Sequence, residues 1–375
     1  MTVSEPFETT GRNRPSSVTA LYAASHFVVD LSCIATLLGV VAPELGTTSL
    51  TAKALAIMAY DMVAFCMQMP IGALLDVVGR RRSRSATLIS LLLTAAGVVA
   101  PRLSRLTGLA PIPPFCDAAS VALLALGNAL FHCVGGVEVL GESDGRASLS
   151  GMFISTGALG VFLGSMEAFN GWANVMYLLL GLLAGAMACT WLLGRTSEDA
   201  GLLELHLSGM GWVAVMLLAA TVALRSYTGM VMAFPWKVGL VWGACAVTAV
   251  FLGKAAGGLV ADAIGTAFAS VISLGGAAVL FWYSWDSVPA GLAGTFLFNF
   301  TMAITLSSLA RLLPQARGLA FGIASFSLAV GALPALLGLR VVSAQALVVL
   351  SAASLVLLEL GLLCSWLELR RNGAR

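Results

Sequence analysis

Charged residues are scarce in this chain. Asp, Glu, Lys and Arg make up 10% of its 375 residues, whereas 59% are hydrophobic. An ordinary soluble domain carries about a quarter charged residues, so the composition argues against a soluble fold. The formal net charge is only +2 and the one dense basic run covers residues 80–84, which argues against a nucleic-acid partner. No phosphate-binding loop of the ATPase type occurs, so ATP is not the expected energy source.

Closely spaced cysteine pairs are also missing. The seven cysteines stand singly, with no C-x-x-C pair, so we expect buried free thiols and neither a metal site nor a cofactor. The polar N-terminal stretch precedes an apolar segment of about 25 residues, which is longer than the apolar core of a signal peptide. We therefore expect no cleaved signal.

Long apolar segments are abundant. Stretches of about 20 residues, enough for a helix to cross the hydrocarbon core, recur along nearly the whole chain. The first six are predicted at about 18–42, 50–75, 85–101, 115–140, 147–166 and 172–193, and the second six at about 208–232, 238–261, 266–283, 288–310, 318–339 and 342–367. The predicted fold class is an all-α polytopic membrane protein with about 12 transmembrane helices in two six-helix bundles.

The longest polar stretch divides the chain near its middle. The predicted organisation is a tail at 1–17, an N-terminal bundle at 18–193, a central linker at 194–207, a C-terminal bundle at 208–367 and a tail at 368–375. Apart from Arg225 and Lys254 inside the spans, the side opposite the termini holds only Lys53, Arg102, Arg105, Lys237 and Arg340 of the 20 Lys and Arg residues. The positive-inside rule therefore predicts cytoplasmic termini in a bacterial-type inner membrane.

A short motif occurs once in each half, at the termini-side end of the second helix. The pattern G-x-x-x-D-x-x-G runs from Gly72 through Asp76 to Gly79, where Arg80 and Arg81 follow, and again from Gly258 through Asp262 to Gly265, where no basic residue follows. Such a repeat indicates that the two halves are related by internal symmetry.

These residues resemble the signature loop of the major facilitator superfamily of transporters, G-x-x-x-D-x-x-G-R-[RK]-x. The resemblance implies that Asp76 is part of a latch that stabilises one conformer of two rocking halves, by capping helix ends or pairing with arginines. Without arginines the second latch, at Asp262, is expected to be weaker. The alternative is that the basic run after Gly79 only anchors the topology.

Two further segments resemble the fosmidomycin-resistance branch of this superfamily, which exports a small anionic phosphonate. They are Ser25 to Asp30 in span 1, and Gly127 to His132 in span 4 with the small-residue run Met152 to Gly160 that follows it; Leu224-Arg225-Ser226 in span 7 is also similar. Two positions depart from that branch, because Cys133-Val134 follows the span 4 histidine and Gly164-Ser165 stands where Gly-Pro is usual.

Polar residues inside apolar spans are candidate functional groups, because burying a charge in the bilayer is costly. His26 and Asp30 are four residues apart and share one helix face, so with Asp61 they are the proton-coupling candidates. The alternative for the pair is a structural hydrogen bond. The predicted cavity and substrate residues are Arg225, Asn128, His132, Asn299 and Tyr227, although Asn128, His132 and Asn299 could equally join helices by hydrogen bonds.

Arg225 remains charged at any working pH and needs a counter-ion in the membrane. We expect it to alternate between Asp30 or Asp61 and the substrate, and the alternative is a permanent salt bridge between the halves. Lys254 and Glu138 are expected to lie towards the cytoplasmic helix ends in structural or gating roles.

The predicted function is secondary active transport by alternating access, without enzymatic activity. The expected cargo is a small solute, with an anion as the favoured class, moved by proton-coupled export. The expected partners are that solute, protons and the lipid bilayer, with a monomer as the family expectation. Uptake or uniport, and a non-transporting sensor or scaffold with the same fold, are the alternatives.

Overall fold

The computed structural model describes residues 17–79, 82–106, 113–167, 172–194 and 205–373. Within these ranges the chain forms twelve helical segments, numbered here α1 to α12. Those of the N-terminal half are α1, Ser17–Thr36 with its continuation Leu37–Val41 and Ala42–Thr48; α2, Leu50–Cys66 and Gln68–Val78; α3, Ser83–Leu106; α4, Pro113–Ser143; α5, Ala147–Gly164; and α6, Trp172–Leu193.

The C-terminal half has the same number of segments. They are α7, Gly209–Val231; α8, Gly239–Ile264; α9, Thr266–Ser270, Val271–Gly275 and Gly276–Trp282; α10, Val288–Phe298 and Thr301–Leu312; α11, Arg317–Leu336; and α12, Ala344–Gly373. Eleven of the twelve are long and apolar enough to cross a membrane, and the shorter one is α9. The predicted fold class is confirmed. Most of the predicted linker and the N-terminal tail lie outside the described residues.

Serine side chains cap the N-termini of several helices. The hydroxyl oxygens of Ser49, Ser208 and Ser287 each accept a hydrogen bond from a backbone N–H in the first turn, at 3.2–3.3 Å. Such caps satisfy N–H groups that have no partner within the helix.

Because the connections are short, successive helices run antiparallel, so the ends of α2, α4, α8 and α10 lie on the same side of the bundle as the termini.

The helices differ in how far they are enclosed. In α1, α4 and α10, 72% of the most apolar window is buried inside the protein, compared with 17% in α2 and 33% in α12. Large apolar side chains cover the outer faces of the less enclosed helices, for example Val349 and Val356 of α12. The first group therefore forms the interior of the bundle, and the apolar outer faces suit contact with lipid.

Packing within each half is supplemented by contacts between the halves, of which two are the most extensive. α3 packs on α4 and α1 on α5 in the first half, and α7 packs on α11 and α12 in the second. Across the halves, α2 packs on α11 and α5 packs on α8. These two contacts are equivalent under exchange of the halves, as the repeated motif predicts.

Candidate functional site

A buried cluster of three side chains lies between α1 and α4. The Nε2 atom of His26 is 3.2 Å from Oδ2 of Asp30, and the Nε2 atom of His132 is 3.6 Å from Oδ1 of the same carboxylate. Asn128 donates a hydrogen bond from Nδ2 to Asp30 Oδ1 at 2.9 Å. The structure therefore brings together the predicted pair on α1 with two of the predicted polar residues on α4.

Backbone carbonyl groups orient both histidine rings. Nδ1 of His26 lies 2.7 Å from the Phe153 carbonyl oxygen, and Nδ1 of His132 lies 2.9 Å from the Asn128 carbonyl oxygen. A carbonyl oxygen can only accept a hydrogen bond, so each Nδ1 carries the proton of the neutral ring. Each Nε2 then turns either a lone pair or an extra proton towards Asp30.

Glycine residues on α5 allow the close approach of α1. A Cβ atom at Gly157 would lie 2.4 Å from His26 Nε2 and 2.5 Å from Asp30 Oδ2. A Cβ atom at Gly160 would lie 2.5 Å from the Phe27 carbonyl oxygen. Small residues at these positions let the helix backbones approach. At Gly157 the His26 and Asp30 side chains occupy the place that a Cβ atom would take.

Arg225 lies on α7, in the other half. Its side chain is buried, Nη2 donates a 3.3 Å hydrogen bond to the Phe298 carbonyl oxygen, and the guanidinium lies 4.9 Å from the centre of the Phe298 ring. Nε and Nη1 have no hydrogen-bond partner among the described residues. The guanidinium forms no ion pair within the described parts of the chain, so the permanent salt bridge between the halves is not present there.

A cavity of about 470 Å³ connects these groups. It is lined by residues of both halves, including His26, Asp30, His132, Arg225 and Asn299. The volume is in the range of ordinary small-molecule sites. Most of the remaining lining is apolar, as in Phe65, Val222, Phe298, Met302 and Phe321.

The charged lining of the cavity is mainly cationic. Besides Arg225 it includes Lys254 of α8 and Lys237 of the segment between α7 and α8, whereas the acidic residue among the described lining is Asp30. Burial lowers the pKa of Lys237 below its usual value, since desolvation penalises the charged amine. Sequence reasoning placed Lys254 nearer the helix end, and the structure places it at the cavity.

The first motif lies at the contact between α2 and α11. The carboxylate of Asp76 accepts hydrogen bonds from the backbone N–H groups of Gly318 and Leu319, at 2.8 and 2.7 Å. A Cβ atom at Gly72 would lie 2.1 Å from the Gly318 carbonyl oxygen, so only glycine permits this approach. Gly79 ends the helix with φ +81°, a conformation that favours glycine.

The second motif repeats this geometry between α8 and α5. Asp262 accepts hydrogen bonds from the backbone N–H groups of Ala147 and Ser148, at 2.8 and 2.9 Å. A Cβ atom at Gly258 would lie 2.4 Å from the Ala147 carbonyl oxygen, and Gly265 has φ +88°. The bonds match those of Asp76 in number and length, although this latch was expected to be weaker without arginines.

Both aspartates bind the N-terminus of a helix from the opposite half, where the helix dipole favours a negative charge. We call Asp76 and Asp262 the capping aspartates. They lie on the termini side of the bundle, so the two halves are joined there. The cavity extends the other way, because Met232, Phe234 and Lys237 beyond the end of α7 contribute to its lining.

Three candidates do not line the cavity: Asp61, Tyr227 and Asn128, whose side chain instead donates to Asp30. Asp61 on α2 does not line it and forms no hydrogen bond or ion pair with the described residues. Tyr227, predicted as a cavity residue, instead accepts a 3.3 Å hydrogen bond from the backbone N–H of Val341, near the start of α12. The neighbouring Ser226 lines the cavity, and consecutive helical residues point about 100° apart, which explains the error. Arg80 and Arg81 lie outside the described residues.

The site is thus a mainly cationic cavity between two related six-helix halves of a multi-pass membrane protein. No family model matches the chain, and no curated protein matches it in sequence. Solved structures do match: the Escherichia coli fucose:proton symporter FucP in the outward conformation aligns with a TM-score of 0.69 at 11% identity, over 93% of this chain and 99% of that one.

Two further structures give similar values. A variant of the same symporter aligns with a TM-score of 0.65 at 11% identity, over 94% and 99% of the two chains. The human organic anion transporter TETRAN aligns with a TM-score of 0.66 at 16% identity, over 93% and 100%. The chain therefore has the major facilitator fold. At such identities the likeness concerns the fold alone.

Proposed function

We propose that this protein is a secondary transporter of the major facilitator superfamily that moves a small anionic solute by alternating access. The observation that carries the proposal is Arg225, a buried guanidinium that lines the cavity while Nε and Nη1 lack partners among the described residues. A buried charge without a counter-ion is unfavourable. A bound anion would supply the counter-ion and the missing hydrogen bonds.

The other cavity charges favour the same cargo. Lys254 adds a second cation to the cavity lining, and the carboxylate of Asp30 already accepts a hydrogen bond from Asn128. The resemblance to the fosmidomycin-resistance branch makes phosphonates the first compounds to test, and one of the matching structures is described as an organic anion transporter.

Proton coupling would involve His26 and Asp30. With Nδ1 of His26 held by a carbonyl group, a proton gained at Nε2 would lie between the ring and the carboxylate, at the present separation of 3.2 Å. The protonated pair is then neutral overall, and the deprotonated pair carries a negative charge in the cavity. Protonation of the pair and binding of an anion would therefore favour each other electrostatically.

The capping aspartates would hold one of the two access states. If the termini are cytoplasmic, as the distribution of Lys and Arg predicts, the present structure is closed to the cytoplasm and its cavity faces outward. Transport then requires Asp76 and Asp262 to release the helices of the opposite half. Because protonation and anion binding favour each other, the proton and the anion would move together. With the proton entering from outside, the proposed direction is therefore uptake, the alternative to the export expected from the sequence.

The test is transport by the purified protein in proteoliposomes. A panel of inorganic phosphate, methylphosphonate, fosmidomycin, a monocarboxylate and a neutral sugar is screened for flux and for solute-dependent pH change. We expect flux of at least one anion, and a pH change that is lost in Asp30→Asn. Reconstitution in both orientations distinguishes export from uptake.

A matched pair of arginine variants tests the role of the guanidinium. Arg225→Gln should weaken anion binding by about 10- to 140-fold, since hydrogen bonds to a charged group contribute about 1.5–3 kcal/mol. Arg340→Gln is the control, because Arg340 donates to the Ala335 carbonyl oxygen outside the cavity. Full anion transport by Arg225→Gln would refute the proposal, and the absence of flux for the whole panel would favour a sensor or scaffold.

A further inference from the structure

The geometry points to a divalent transition-metal site formed by His26, Asp30 and His132, open on the side that faces the cavity. The sequence predicts no metal site, because its histidines and cysteines show no ligand spacing. In the folded protein the Nε2 atoms of both histidines and the carboxylate lie within 4.8 Å of one another. Two imidazoles and one carboxylate are a ligand set used by Zn²⁺, Co²⁺ and Fe²⁺.

The separations of the ligand atoms suit a single ion. In a tetrahedral site with ligand distances of about 2.0–2.1 Å, neighbouring ligand atoms lie about 3.3 Å apart. The two histidine–carboxylate separations are 3.2 and 3.6 Å. These two separations are to different oxygen atoms of Asp30, and all three ligand atoms lie within 4.8 Å of one another. Binding of one ion would bring the more distant ligand atoms closer together.

The surrounding groups prepare the three side chains as ligands. Both Nδ1 atoms are bound to carbonyl oxygens, which directs the Nε2 lone pairs of the neutral rings towards Asp30. Asn128 donates a hydrogen bond to Oδ1 of the carboxylate, the oxygen that also lies next to His132. Metal-binding histidines are typically oriented in this way by a hydrogen bond at the second ring nitrogen.

A proton accounts for only part of this arrangement. One proton can join one Nε2 atom to the carboxylate, and the lone pair of the second histidine would still face it. A metal ion accepts electron pairs from all three groups at once. All three side chains also line the cavity, so the side of the cluster that faces it is not covered by protein. One or more coordination positions therefore remain free.

The charges across the cavity indicate what occupies the free position. A dication beside Asp30 leaves a net positive charge, and Lys254 and Arg225 line the same cavity. An anion bound to the metal would balance these cations. This second part rests on the proposed function and implies that the anionic cargo is carried together with, or bound through, a divalent metal ion.

The first experiment measures Co²⁺ binding to the purified full-length protein, produced with an affinity tag that contains no histidine. Visible absorption bands of Co²⁺ bound to nitrogen and oxygen ligands are expected, at one ion per chain. Binding at any of the free cysteines would instead give sulfur charge-transfer bands in the near ultraviolet. Absence of the visible bands, or the presence of sulfur bands alone, would overturn the inference without any variant being needed.

The three histidines of the chain supply a matched control. His26→Gln and His132→Gln should each weaken Co²⁺ binding by at least about tenfold, because loss of an orienting partner alone costs 10- to 100-fold. His206→Gln, which alters the histidine outside the cavity, should bind Co²⁺ as the native protein does. Equal affinity in all three variants would overturn the inference, and size-exclusion profiles identify a variant that has lost its fold.

One additional variant keeps all three ligands. Gly157→Ala places a methyl group within 2.5 Å of His26 Nε2 and Asp30 Oδ2, so these two groups must move and Co²⁺ binding should weaken. Unchanged binding would contradict their role as ligands. Co²⁺ binding is measured without transport. Anion flux without Co²⁺ binding would refute the metal site alone, and Co²⁺ binding without any flux would refute the proposed function alone.

Discussion

The most direct prediction concerns Asp76, which joins the two halves on the termini side. In Asp76→Asn, one oxygen atom can still accept a hydrogen bond from Gly318 or Leu319, but the second acceptor and the negative charge at the N-terminus of α11 are lost. Hydrogen bonds to a charged group contribute about 1.5–3 kcal/mol. The closed arrangement should be destabilised by that amount, which raises the open fraction about 10- to 140-fold.

A native thiol reports this change. Cys133 is fully buried beneath the α2–α11 contact, and its thiol donates a hydrogen bond to the Gln68 carbonyl oxygen of α2 at 3.1 Å. When α11 separates from α2, reagents reach this region. The labelling rate of Cys133 by a maleimide, followed by mass spectrometry of the peptide, should therefore rise about in proportion to the open fraction.

Two controls separate opening from other effects. Cys33 is also fully buried but donates to the Leu124 carbonyl oxygen inside the N-terminal half, so its labelling rises only if the protein unfolds. Asp144→Asn removes a negative charge from an exposed turn, where φ is +47° and asparagine is tolerated. Unchanged labelling of Cys133 in Asp76→Asn, or an equal increase in Asp144→Asn, would refute the reasoning.

Three further predictions concern other parts of the site. Asp262→Asn should open the α5–α8 contact as much as Asp76→Asn opens the α2–α11 contact. Distance measurements between spin labels would test this. A clearly smaller opening of the α5–α8 contact would indicate that the arginines after Gly79 strengthen the first latch. Solute-dependent proton movement should be lost in Asp30→Asn and retained in Asp61→Asn, because Asp61 does not line the cavity; the reverse pattern would refute the assignment. Tyr227→Phe should leave the apparent affinity for the solute within about twofold and lower the melting temperature slightly, since one surface-near hydrogen bond contributes about 1 kcal/mol.

Much of the architecture could be predicted from sequence because it depends on local properties. Apolar stretches of sufficient length must form helices in a bilayer, where unpaired backbone groups are too costly. The helix count, the spans and the relation between the halves follow from such stretches and from the repeated motif. Similarly, the 3.6-residue helical repeat is enough to place His26 and Asp30 on one face, as the structure has them.

The partners of these residues depended on tertiary structure. Helix faces towards lipid and towards other helices are both apolar, so hydropathy does not determine which way a span is rotated. For that reason Lys254 was given a structural or gating role towards a helix end although it lines the cavity, and Tyr227 was assigned to the cavity although it does not line it. The sequence identified the capping aspartates, but which helices they bind is decided only by packing across the halves.

The same division between sequence and fold applies to the cluster of His26, Asp30 and His132. The sequence alone determined a titratable pair on α1 and a buried arginine on α7. Only the fold placed His132 of α4 against that pair and left a cavity between the pair and Arg225, because contacts between distant segments arise from how the helices pack. The sequence therefore indicates a His26–Asp30 pair suited to proton transfer, whereas the fold adds His132 and forms the proposed metal site.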